Sequence, residues 1–157
     1  MDEVVGDVLV RDVMSTPLVY VYPFHSVREA AAIMVEKNVG SVVVLDTDGR
    51  LLGIVTRTDI LKHVVAKGLN PDKVKVEDIM VRNPIYTLAD TPLEEAARLM
   101  GSKGIGHLPV LDPKTFKPVG MLSKRDILKI APHYMATVYA LKVESAGSQG
   151  AEQRLRA

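Results

Sequence analysis

Two rhythms of apolar residues alternate along the chain, and the whole alternation occurs twice. Residues 18–22 (LVYVY) and 85–88 (IYTL) are short, rich in β-branched and aromatic residues and bounded by proline, which predicts strands. Behind them, residues 26–38 (SVREAAAIMVEKN) and 91–104 (TPLEEAARLMGSKG) carry apolar positions at helical spacing. Ser26 and Thr91 stand where N-caps belong, and Pro92 suits a first helical turn. Continuous apolar runs follow, SVVVLD (41–46) and LLGIVT (51–56) in the first half, HLPVLD (107–112) and PVGMLS (118–123) in the second. Runs without polar alternation predict strands buried on both faces. A second helix then opens at Thr56 or Ser123. Each half therefore reads strand, helix, strand, strand, helix.

The duplication is visible residue by residue. Val10, Asp12 and Met14 face Val76, Asp78 and Met80 at an offset of 66, Glu29–Met34 faces Glu95–Met100 at 66, and Gly40 faces Gly106 at 66. Pro17 faces Pro84 and Gly53 faces Gly120 at 67. The strongest match is GIVTRTDILK (53–62) against GMLSKRDILK (120–129). The chain divides into copies at 7–68 and 73–135, joined by GLNPDK, with 136–157 as an extension. A unit of this size buries only about 60% of its unfolded surface, so two copies packed face to face are expected.

The repeated decapeptide admits two readings. In one, Thr56 and Ser123 cap their helices while Asp59 and Asp126, three residues on, reach back to the cap amides, a capping box that needs no ligand. In the other, the helix start seats a phosphate, reinforced by Arg57 or by Lys124 and Arg125, while the Asp accepts from two neighbouring hydroxyls such as those of a ribose. Gly53 and Gly120 suit either close backbone approach or strand punctuation.

The repeated order, the G-x-x-[T/S]-x-x-D run and the HLPVLD strand resemble the cystathionine-β-synthase (CBS) domain, two copies of which form a Bateman module. The resemblance covers residues 7–135. It implies an α/β fold of the α+β type, two βαββα units related by a pseudo-twofold, with two clefts for adenosine nucleotides or adenosyl relatives. Carried over by residue, one cleft uses Ser123, Lys124, Arg125 and Asp126 with Thr16, Val21, Val39 and Gly40. The other uses Thr56, Arg57 and Asp59 with Asn83, Leu88, Ile105 and Gly106. His107, opening the HLPV strand near the clefts, admits two readings, a phosphate donor or a structural residue. Two cations in SKRD against one in TRTD predict that the Asp126 cleft tolerates more phosphate charge if both side chains turn inward, the other reading being that they face solvent. Asn83 stands where the first copy has Thr16.

Composition narrows the rest. With no cysteine among 157 residues, thiolate catalysis and zinc–thiolate clusters are excluded. His25, His63, His107 and His133 lack the spacing that places two ligands on one helix face, so no metal is expected. Glu94 and Glu95 are adjacent on a helix and point apart, which leaves no acid/base pair. A net charge of +1 and 4% aromatic residues make nucleic acid an unlikely partner. The acidic start resembles no signal peptide, and no apolar run approaches the roughly 20 residues of a membrane span, so a cytoplasmic location is expected. After Pro132, Tyr134, Met135, Val138, Tyr139 and Leu141 predict a helix with a broad apolar face, followed by a loose polar tail. The expectation is a stand-alone regulatory module without catalysis or cofactor, homodimeric, binding AMP, ADP or ATP and signalling to an unknown regulated protein. Its rivals are a dimerisation scaffold with non-functional clefts, a nucleotide-processing enzyme and a nucleic-acid binder.

Overall fold

The computed structural model describes residues 8–130 together with Val138 and Ala140. In chain order the elements are α1 (Val10–Val13), β1 (Tyr20–Val21), α2 (Val27–Lys37), β2 (Ser41–Leu45), β3 (Leu51–Thr56) and α3 (Arg57–Ile60), which continues as a π-helical turn, Leu61–Val65. The second half repeats this order with one added short strand, β4, as α4 (Val76–Ile79), β4 (Val81–Arg82), β5 (Thr87–Leu88), α5 (Leu93–Lys103), β6 (His107–Leu111), β7 (Pro118–Ser123) and α6 (Lys124–Ile130). One sheet has the order β1-β2-β3-β4 and the other β5-β6-β7. In each, the first strand runs parallel to the second and the second antiparallel to the third, as a strand–helix–strand crossover followed by a hairpin requires.

The long helices form where the apolar rhythm places them. Ser26 Oγ accepts from the Glu29 amide at 3.1 Å, and α2 ends at Asn38 in the left-handed region, the role Gly104 takes for α5. Thr91 does not cap α5: Pro92, extended and without a side-chain acceptor, precedes its first residue. The predicted strands at 18–22 and 85–88 shorten to two residues each. A two-residue edge strand offers little unpaired backbone to another chain. Val42, Val44 and Val55 pack in the first unit's core, while the intervening Val43, Leu45 and Ile54, no more than 6% exposed, bury the opposite face of the sheet as well.

The sequence repeat and the packing unit differ by one helix. Val10 of α1 is fully buried in the second unit's core, with Leu93, Met100, Leu108 and Ile127. Val76, Ile79 and Met80 are buried in the first unit's core, with Val27, Val42 and Val55. Backbone bonds fix both exchanges: Val10 and Arg11 donate to Thr91 and Ala89, and Val76 and Glu77 donate to His25 and Pro23. Each exchanged valine contributes about 1.5–3 kcal/mol of burial to the half it does not adjoin in sequence. Past each short helix the chain lies against the partner hairpin, Ser15 pairing with Met121 and Val81 with Ile54.

This contact explains the repeated glycines. A Cβ at Gly120 would stand 2.8 Å from the Ser15 carbonyl and 2.9 Å from Met14 Sδ, and one at Gly53 would stand 2.8 Å from both the Val81 carbonyl and Met80 Sδ. They serve close backbone approach.

Of the predicted C-terminal helix, Val138 and Ala140 are helical and Val138 is buried in the second core. Tyr134, Met135, Tyr139, Leu141 and the polar tail lie outside the described residues. Among the described residues no helix is long and apolar enough to cross a membrane.

Candidate functional site

Both aspartates of the duplicated motif complete a capping box. Thr56 donates to Asp59 Oδ2 from its amide (2.8 Å) and hydroxyl (3.0 Å), and the Asp59 amide donates to Thr56 Oγ1 at 3.3 Å. Ser123 and Asp126 repeat this at 2.9, 3.0 and 3.2 Å. The corners then diverge. Ser15 Oγ donates to Asp126 Oδ1 at 2.6 Å, so the second carboxylate ties the leading segment to the far hairpin. Asp126 is 7% exposed, and charge-assisted bonds to both oxygens are what make burying it tolerable. In the other corner the residue matching Ser15 is Val81, which has no hydroxyl to give, and Asp59 is only half-buried.

Gly40, Arg57, Gly106, His107 and Lys124 meet along a seam between the units. The amide of Arg57 donates to the Gly40 carbonyl at 3.2 Å and that of Lys124 to the Gly106 carbonyl at 3.1 Å. A Cβ added at Gly40 would lie 3.0 Å from Arg57 Nη2 and 3.0 Å from His107 Nε2. Those two nitrogens are therefore no more than 6.0 Å apart. The Lys124 stem lies in the same way along Gly106, 3.5 Å from the corresponding point. Gly40 thus sits under Arg57 and His107, and Gly106 under Lys124. The two predicted residue sets interleave here: each glycine meets the cation assigned to the other cleft.

His107 occupies the centre of this arrangement. It pairs with Ser123 across the β6–β7 ladder, and its imidazole is held below the ordinary histidine pKa first by burial, then by Arg57. Lys124 and Arg125 push the same way and Asp126 opposes them. The equivalent position in the first half is Ser41, paired with Thr56, 3% exposed, its hydroxyl without a hydrogen-bond partner among the described residues.

Other predicted members stand further off. Val21 is fully buried in the first core, which leaves only its main chain for a ligand, while Val39 and Ile105 pack against the two cores. Thr16 is exposed beside Ser15, and Leu88 is half-buried, paired with Leu111. Asn83, with φ 47°, lines an open cavity of about 390 Å³ with Arg50, Tyr86 and Phe116. Leu51, also on that cavity, and Thr56 are opposite ends of β3, about 17 Å apart, so Asn83 is not gathered around Asp59. Ser15 and Ser41 escaped sequence reasoning. Setting Ser15 over Val81 and Ser41 over His107 in the repeat was the signal available. Among the described residues no three His, Asp or Glu side chains converge on a metal position.

The family model for the CBS domain matches residues 10–66 and 76–133. An uncharacterized protein of Methanopyrus kandleri is 37% identical over 134 residues, which span 85% of this chain and 65% of that relative. Three transferases among the relatives are matched over only 23% to 25% of their length. Among solved structures, the CBS domain pair of protein MJ0100 in complex with 5′-methylthioadenosine and S-adenosyl-L-methionine is 31% identical with a TM-score of 0.73, covering 82% of this chain and 98% of that one. The CBS domain protein PAE2072 from Pyrobaculum aerophilum, complexed with AMP, is 27% identical with a TM-score of 0.73, covering 85% and 99%.

Proposed function

The chain belongs to the CBS domain family, and from that premise we propose that it is a regulatory module binding an adenosine nucleotide at the seam between its two units. The carrying observation is His107, whose Nε2 meets the Arg57 guanidinium over Gly40 and which also feels the charges of Lys124, Arg125 and Asp126. Three permanent cations and one imidazole set against the Asp126 carboxylate leave excess positive charge, which favours a phosphate-bearing ligand over a cationic sulfonium. The aspartates hold the ribose: a carboxylate has about four lone-pair positions, and the cap fills both on Oδ2, so Oδ1 is the oxygen that accepts a ribose hydroxyl, on Asp126 beside Ser15. Thr16, Thr56 and Ser123 assist, and backbone at Val21, Val39, Gly40, Leu88, Ile105 and Gly106 grips the base. The likeness to AMP-bound PAE2072 supports the ligand class. The module performs no catalysis of its own. Because ligand touches both units, it favours one relative arrangement, and a homodimer or a regulated protein reads that arrangement.

One observation favours a different reading. Both oxygens of Asp126 are already bonded, as a purely structural scaffold would have them. Thermal-shift measurements with AMP, ADP, ATP, 5′-methylthioadenosine and S-adenosylmethionine separate the two. A ligand at one hundred times its Kd adds about 2.7 kcal/mol of stability. A shift with the phosphorylated members that Asp126→Asn weakens is expected; an unmoved melting curve across the panel leaves the scaffold.

A further inference from the structure

The seam pairs two unlike residues at equivalent places: His107 beside the Ser123–Asp126 cap, Ser41 beside the Thr56–Asp59 cap. One titrates and the other does not. His107 is also the point where the units touch, its Nε2 and the Arg57 guanidinium converging on Gly40 from opposite units. The charged groups facing it are Arg57 from α3 and Lys124, Arg125 and Asp126 from α6. Among these, three cations disfavour the imidazolium and one carboxylate favours it. A phosphate arriving among the cations reverses that balance, since its charge offsets theirs at short range inside a partly buried site.

Resting on the nucleotide reading, we infer that His107 takes up one proton from solvent when a phosphate-bearing ligand settles at the seam, so that the module reads ligand charge through a histidine only one of its halves possesses. Affinity for such ligands rises as pH falls, up to about tenfold per pH unit, the limit for one proton. Affinity for an uncharged adenosine does not change. In its burial and lowered proton affinity His107 is poised for this exchange: neutral without ligand, charged with it.

The test is isothermal titration of the full chain with AMP and with 5′-methylthioadenosine, each in two buffers of different ionisation enthalpy, between about pH 6.5 and pH 8. The expected result is net proton uptake with AMP and none with 5′-methylthioadenosine. The AMP phosphate, being drawn toward its dianion by the same cations, releases protons instead, so the sign identifies the group. His107→Gln should abolish the uptake. Arg57→Gln, which leaves the imidazole in place, should reduce it, because a histidine relieved of that cation is already more protonated before ligand arrives. AMP binding with proton release, or uptake that survives His107→Gln, overturns the inference while leaving the nucleotide reading intact. If neither ligand binds, the nucleotide reading falls and the proton linkage with it.

Discussion

The Asp126 corner and the Asp59 corner are built from the same decapeptide, yet they perform different work. At Asp126 the carboxylate is 7% exposed and shared between its own helix start and Ser15, a residue 111 positions earlier in the chain. At Asp59 the carboxylate bonds only its own helix start among the described residues, and the helix loosens within one turn into π geometry, the Ala66 amide donating to the Leu61 carbonyl. A single hydroxyl separates a cross-unit strut from a local cap. Internal repeats preserve backbone geometry more faithfully than they preserve the contacts made at matched positions.

The largest effect is expected where the corners agree. Gly120→Ala and Gly53→Ala each force a Cβ against a carbonyl and a methionine sulfur at 2.8–2.9 Å, and each should cost about 2–3 kcal/mol in chemical denaturation. A loss much smaller at Gly53 would show that edge strand β4 swings away freely, which sharpens the difference between the halves.

The aspartates come next. Asp126→Ala removes a cap and orphans Ser15, about 2 kcal/mol, whereas Asp59→Ala removes a cap only, about 1 kcal/mol. Ser15→Ala should cost about 1 kcal/mol alone and little once Asp126 is already alanine, a double-mutant cycle that tests the strut directly. Equal losses for the two aspartates would break the comparison.

The smallest effect is a slope. Because His107 is held below its unfolded pKa of 6.5, the unfolded chain binds the proton first on acidification. The associated stability is fully present above pH 6.5 and is lost as pH falls from there toward the folded value. Stability measured along that range should fall more steeply in the wild type than in His107→Gln, and parallel curves would remove His107 from the account.

Much of this was legible in the sequence. The 66- and 67-residue offsets, the Ser26 cap and the two capping boxes follow from local spacing, and local hydrogen bonds depend on little else. Thr91 lies one residue outside α5 because Pro92, without an N–H and with a fixed φ, takes the position before its first residue. The exchange of α1 and α4 was not legible, since aligning Val10 with Val76 says that both dock somewhere equivalent but not in which half. For the same reason the cleft assignments interleaved. Arg57 and Gly40 lie close in one unit, and only the folded seam adds His107 from the other.

The exchanged helices also bear on how such a chain can arise. A lone repeat would leave its hydrophobic interior uncapped at the place where α1 or α4 belongs, and could fill it only with that plug from a second molecule. Fusing two such molecules end to end turns reciprocal lending between strangers into a fixed clasp within one chain. Within one chain the two halves need not match at every position, and they do not at Ser15 and Val81.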